Sequence, residues 1–106
     1  NNINCVSHST HRIGKWTAEE ERYADLLIES FLSGYLSSPI NTPLKTFLAS
    51  KLHCLPMRIS KKFPGFHHLG LRYEQHQFCE EVLTARKNLL ESYEMDYMLK
   101  DQKVQS

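Results

Sequence analysis

The stretch that decides the fold is LASKLHCLPMRISKKF, residues 48–63. It contains the end of one amphipathic helix, a short turn, and the start of another helix at Pro56. A proline suits the first turn of a helix, because the N–H that it lacks would have no intrahelical partner there. Ile59 and Phe63 lie one turn apart, so we expect both to face the core, with Met57 flanking them.

The cations of this predicted third helix lie on its other side. Arg58, Lys61 and Lys62 share a broad face. The net charge of the whole chain is only +1, yet residues 30–73 carry six Lys and Arg and no acidic residue. Such a basic region is typical of proteins that contact phosphates. The alternative is a solvated face whose counter-charges lie across the fold.

Two further helices are predicted on the N-terminal side. Residues 17–33 begin with a capping box, formed by Thr17 and by Glu20 three residues later, and Gly34 predicts their end. Residues 42–52 have apolar side chains at three- and four-residue spacing, which predicts a second amphipathic helix. The first helix is expected to pack on the core through one apolar stripe of side chains: Tyr23, Leu27 and Phe31.

A longer helix is predicted at the C-terminal side. Residues from about 73 to 99 contain neither Pro nor Gly, and a helix of that length spans about 40 Å. We expect Phe78 and Val82 to close the core, and the second half either to pack lengthwise on the first helix or to dock another subunit. The predicted stripe has six members: Phe78, Val82, Ala85, Leu89, Tyr93 and Tyr97.

Length and composition predict one small all-α domain. The chain has 106 residues, of which 41% are hydrophobic, about the size of a single domain. We expect a flexible arm over residues 1–14, a helical domain over 15–100 with a three-helix unit over 15–65, and a tail over 101–106. No apolar run is long enough to span a bilayer, so no membrane is expected as a partner. Because the chain begins with Asn, we expect it to be a piece of a longer protein.

Metal, cofactor and catalytic chemistry are not indicated. The chain has three cysteines, a sparse and odd number that favours a reducing compartment over a disulfide scaffold. Structural zinc usually needs paired ligands, whereas Cys54 has no paired cysteine and the adjacent His67 and His68 do not readily ligate from one turn. Cys54 also lacks the Gly-rich loop or oxyanion motif of a nucleophile. We predict a non-enzyme without cofactor, with Cys54 buried at a turn.

Three short helices with a tight turn between the last two form the helix-turn-helix arrangement. GKWTAEEE, residues 14–21, resembles the start of Myb/SANT domains, where a Trp packs at the first helix before an acidic turn. Tyr35 lies nineteen residues after Trp16, a spacing similar to that of the Myb tryptophans, and Phe63 stands about where a third aromatic is expected. The resemblance covers residues 14–65. It departs from the pattern in having one Trp, a long loop before the second helix, and no Trp-Phe-x-Asn signature of homeodomains.

The longer phrase LASKLHCLPMRISKKF is similar to a Myb/SANT- or homeobox-like class that includes DNA-binding accessory subunits of the ciliate DNA N6-adenine methyltransferase complex. This resemblance implies binding of double-stranded DNA, a nuclear location, and association with other subunits of such a complex, for which we expect the C-terminal helix to be used. The contacts carried over from the family would be Arg58, Lys61, Lys62 and Ser60. Charge alone adds four predicted phosphate contacts: Lys51, Lys45, Lys15 and Arg12.

The alternative function is a protein-interaction module. SANT-like domains can bind protein, and the first and last helices of this chain are acidic. The two functions predict different geometries. DNA binding is favoured if Arg58, Lys61 and Lys62 project from one surface together with Lys51 or Lys45, and a protein partner is favoured if acidic residues of the first or last helix pair with them.

Overall fold

The computed structural model describes residues 11–37 and 40–105, and the side chains of the last helix up to Lys100. Among these residues the fold is all-α, as predicted, with one isolated bridge between Pro43 and Arg72. A short 3-10 helix also covers His67–Gly70. The four α-helices are α1 (Ala18–Ser33), α2 (Leu44–Leu52), α3 (Pro56–Lys62) and α4 (Glu80–Gln105).

Both ends of α1 are set by local sequence. The Thr17 hydroxyl accepts a hydrogen bond from the Glu20 N–H at 3.0 Å, so the predicted N-cap is confirmed. Gly34 ends the helix with a left-handed φ of 76°. A Cβ at this position would also lie 2.6 Å from the His76 ring, so conformation and space both require glycine. The predicted apolar stripe is buried: Tyr23, Leu27 and Phe31.

Helices α2 and α3 are joined by the short turn that the sequence predicted. His53 ends α2 with a left-handed φ of 56°, and α3 begins at Pro56. Ile59 is fully buried, as expected from its position. Met57 is 64% exposed and Phe63 is only half-buried. The seven-residue helix α3 therefore buries fewer apolar side chains than predicted.

The chain before α4 is extended, so the predicted start of the last helix at about residue 73 is wrong. The Tyr73 N–H donates to the Thr42 carbonyl at 2.9 Å, and the Asn41 N–H donates to the Tyr73 carbonyl at 3.2 Å. The buried Tyr73 hydroxyl is hydrogen-bonded to both backbone groups of Leu36. These long-range bonds satisfy the backbone without a helix, which starts only at Glu80.

Helix α4 packs lengthwise and antiparallel on α1, which is one of the two arrangements expected from its sequence. Arg86, near its start, bonds to Glu29 near the end of α1 at 3.1 Å. Tyr97, eleven residues later, stacks on Tyr23 near the start of α1, with ring centroids 5.8 Å apart. The helix continues to Gln105, so residues 101–105 are not the predicted tail.

The buried face of α4 agrees with the predicted stripe at Tyr93 and Tyr97 and departs from it earlier in the helix. Leu90 and Tyr97 are buried, whereas Val82 and Leu89 are exposed. Phe78 lies before the helix and packs on Tyr35, which follows α1, with ring centroids 4.4 Å apart. Polar side chains with long stems occupy part of the inner face, so apolar spacing alone does not define it. The inner face also contains Leu83, Arg86, Tyr93 and Glu94.

Tyr97 is the anchor of the distal part of α4, because it is 1% exposed and its hydroxyl donates to the Leu52 carbonyl at 2.7 Å. We expect Tyr97→Ala to lower the free energy of unfolding by about 3–5 kcal/mol, through lost burial and the cavity left behind. The neighbouring exposed Met98 is the control, and Met98→Ala should change it by no more than about 0.5 kcal/mol. Urea unfolding followed by circular dichroism measures both. If both variants lost the same free energy of unfolding, the lengthwise packing of α4 on α1 would be contradicted.

Candidate binding surface at the third helix

Glu20 lies at the junction of α1 and α3 and is fully buried. Its two carboxylate oxygens accept from the Arg58 guanidinium at 2.5 and 2.8 Å. The same guanidinium lies 4.3 Å from the centre of the Trp16 ring. Burial lowers the pKa of Arg58, but the bonds to Glu20 outweigh this effect and the pKa rises, so the side chain stays charged. Arg58 is therefore part of the interior and not a free surface cation.

Lys62 is also engaged by the first helix. Its ammonium bonds to the Glu21 carboxylate at 2.5 Å and lies 5.2 Å from the centre of the Trp16 ring. Lys61 is exposed, and among the described residues no hydrogen bond or ion pair holds its ammonium. Ser60 is half-buried. Of the three α3 cations predicted to contact DNA, two are thus paired with acidic residues of α1.

Arg12, a predicted phosphate contact, is buried at the α1–α3 junction. Its guanidinium lies 3.7 Å from the Glu20 carboxylate and bonds to the Lys15 carbonyl at 2.6 Å. Its backbone N–H donates to the His53 carbonyl at 2.6 Å. Residue 12 is therefore anchored, in contrast to the flexible arm predicted over residues 1–14, of which residues 1–10 lie outside the described part. The Lys15 side chain is exposed.

The remaining predicted cations belong to α2. Lys45 is half-buried and Lys51 is exposed. Lys51 lines a cavity of about 370 Å³ between α1, α2 and α4, together with Lys87 and the acidic Glu91 and Glu94. No residue that lines this cavity also lines the concavity beside Lys61. Lys51 and Lys61 therefore border different concavities.

The concavity beside Lys61, here called the α3 hollow, has a volume of about 500 Å³. Three of its apolar residues are largely exposed to solvent: Ile13 is 74% exposed, Leu55 56% and Met57 64%. None of the described residues that line it is acidic. Its lining residues are Arg12, Ile13, Gly14, Trp16, Leu55, Met57, Arg58, Lys61 and Lys62.

The helical patterns in the sequence do not indicate this surface. Ile13 stands alone in a polar segment, and Leu55 is the residue that caps α3. A signal was present, because neither residue belongs to the apolar spacing of a helix and so neither had an assigned core contact. Met57 was expected to flank the core. It is 64% exposed, whereas Arg58 and Ile59 of the same helix face the interior.

Other chemistries find little support in this part of the chain. Among the described residues, no three His, Cys, Asp or Glu side chains are grouped so as to hold a metal ion. Cys54 is buried, and burial raises the pKa of its thiol, while a hydrogen bond to Arg58 opposes that rise. None of the described helices combines the length and the apolar character needed to cross a bilayer.

No protein-family model matches the chain, and neither a curated protein nor a solved structure matches it significantly. The resemblance to Myb/SANT and homeobox-like domains therefore stays a prediction.

Glu20 should matter far more to stability than its neighbour Glu21. Glu20→Gln leaves the Arg58 guanidinium buried without its counter-ion, and we expect a loss of about 3–5 kcal/mol in the free energy of unfolding. Glu21→Gln removes a partly exposed pair and should cost at most about 1 kcal/mol. The urea midpoints of the two variants measure the difference. Similar midpoints would show that Glu20 does not hold the junction.

The two described cysteines should differ in reactivity. Cys54 is buried and its thiol has a raised pKa, whereas Cys79 is exposed. Because the thiolate is the reactive form, iodoacetamide at neutral pH should alkylate Cys79 well before Cys54, and denaturant should abolish the difference. Peptide mapping by mass spectrometry measures both rates. Equally fast reaction in the folded protein would mean that Cys54 is accessible and active.

Proposed function

We propose that this chain is a non-catalytic protein-interaction module on a helix-turn-helix-like scaffold. One observation carries the proposal: Glu20 and Glu21 of α1 pair with Arg58 and Lys62 of α3. This is the geometry expected for a protein partner. What α3 offers to solvent is an apolar surface with a few cations at its margin.

The energetics of the α1–α3 junction favour this function over base recognition by α3. Base readout requires Arg or Lys side chains that reach base edges in the major groove. To do so, Arg58 would have to leave Glu20, and the fully buried carboxylate would lose both hydrogen bonds from Arg58 and keep only Arg12, 3.7 Å away, as a nearby cation. Removing one partner of a buried ion pair costs about 3–5 kcal/mol, which is comparable to several phosphate or base contacts.

The helix-turn-helix part of the proposal is supported by the arrangement of α2, α3 and the aromatic residues. The short turn at His53 joins α2 to α3. Trp16, directly before α1, meets Phe63 at the end of α3 edge-to-face, with ring centroids 6.0 Å apart. A Trp at this place fits the resemblance to SANT-like domains, which include protein-binding members.

Binding of double-stranded DNA is the second candidate function. It is favoured by the acid-free basic region over residues 30–73 and by the exposed side chains of Lys61, Lys51, Arg72 and Lys15. Under this second candidate function, the chain is a nuclear accessory subunit of a DNA-modifying or chromatin complex. Its α4 then docks the other subunits through exposed apolar residues such as Met95 and Leu99.

Duplex DNA separates the two functions. For a protein-interaction module we expect only non-specific binding, with a dissociation constant no lower than about 10⁻⁶ M at physiological salt. Lys61→Ala should reduce the salt slope by about one unit at most, and Lys100→Ala serves as an exposed control on α4. Fluorescence anisotropy at two salt concentrations measures both. Much tighter binding that Lys61→Ala abolishes and Lys100→Ala preserves would overturn the proposed function and establish the second candidate.

A further inference from the structure

We infer that the α3 hollow is the docking site for an acidic amphipathic segment of another protein. In this arrangement the apolar side chains of the segment pack on Ile13, Leu55 and Met57, and its carboxylates lie beside Lys61. The inference rests on the proposed function and adds the site and the chemistry of the partner.

The apolar part of the hollow comes from two separate pieces of chain that the fold holds together. Ile13 precedes α1, whereas Leu55 is the N-cap residue of α3 and Met57 belongs to its first turn. The Ile13 segment is fixed beside α3 by its neighbour Arg12, which bonds to the His53 carbonyl before α3 and lies near Glu20. Held in place, these side chains offer a partner a surface that loses little conformational entropy on binding.

The charges around the hollow select an acidic partner. Glu21 balances Lys62 and Glu20 balances Arg58, but neither carboxylate lines the hollow. Lys61 lines the hollow and is exposed. Lys15 is also exposed and follows Ile13, which lines the hollow, by two residues in the sequence. A segment with Asp or Glu next to its apolar residues would meet these cations, whereas a basic segment would be repelled.

Other occupants fit the hollow less well. Residues 1–10 contain no acidic residue, so this segment of the chain does not supply the complementary charge. Nucleic acid would bring charge but few apolar groups to cover Ile13, Leu55 and Met57. A second copy would bring the acidic α4 to the hollow, and a head-to-tail contact of this kind forms rings or open chains of molecules, which appear as self-association.

The test begins with a library of random short peptides displayed on phage and selected against the whole chain. Selected peptides should combine Asp or Glu with apolar residues three or four positions apart, as a helix bound in a groove does. Anisotropy of a labelled selected peptide then gives affinities. Met57→Glu should weaken binding about tenfold or more, because it places a charge at the centre of the apolar contact. Met95→Glu is the matched control, since Met95 is 63% exposed and lies on α4, and it should have no effect.

A charge exchange checks the role of Lys61. Lys61→Glu should weaken the selected peptide, and a peptide with Lys in place of its acidic residues should regain affinity for this variant alone. Lys100→Glu is the control and should change nothing. Circular dichroism confirms folding, and Leu55→Glu is the second variant if Met57→Glu does not fold.

Four outcomes would overturn the inference. They are failure to select any peptide, selection of basic peptides, equal binding to Met57→Glu, and self-association that Met57→Glu abolishes, since the last would make a second copy the occupant. Peptides that bind elsewhere on the protein would leave the proposed function standing. Tight duplex binding that Lys61→Ala abolishes would remove the proposed function itself, so the two failures are distinguishable.

Discussion

A single buried carboxylate, that of Glu20, determines how three parts of the chain meet. It belongs to the first turn of α1, accepts two hydrogen bonds from Arg58 of α3, and lies 3.7 Å from Arg12 of the preceding segment. A buried ion pair adds little net stability compared with apolar packing, because both charges must leave water. Its effect is on arrangement, because any other docking of α3 would leave one of these charges without a partner.

This arrangement also decides which groups remain for binding. Trp16 is placed beside Phe63, and its ring is covered by Arg58 and Lys62. Arg58 and Lys62 are therefore already paired with carboxylates of α1 and with the Trp16 ring. The turn before α3 projects Leu55 outward. A face that looks basic in the sequence becomes an apolar surface with a cationic margin.

Much of the three-helix part could be predicted from sequence, because local interactions determine it. Thr17, Gly34 and Pro56 act within a turn of their own position, and the burial of Tyr23, Leu27 and Phe31 follows from helical spacing. The C-terminal part depends on distant contacts. Tyr73 keeps its segment extended by bonds to residues about thirty positions earlier in the chain. Arg86 faces α1 because its guanidinium lies 4.6 Å from the Tyr35 ring and bonds to Glu29. Neither contact leaves a periodic signal.

The pairing of the α3 cations could not be predicted for the same reason. Counting charges along the chain identifies Arg58 and Lys62 as cations, but only the fold shows that Glu20 and Glu21 lie opposite them, some forty residues earlier. Glu20 itself was recognised as part of a capping box, yet its carboxylate turns away from the helix end and toward α3. The Arg58 guanidinium gives this carboxylate two hydrogen bonds and an opposite charge, whereas a backbone N–H would give a single hydrogen bond. The acidic start of α1 thus serves both its own helix and α3, because the cations that it pairs, Arg58 and Lys62, belong to α3 and also line the hollow.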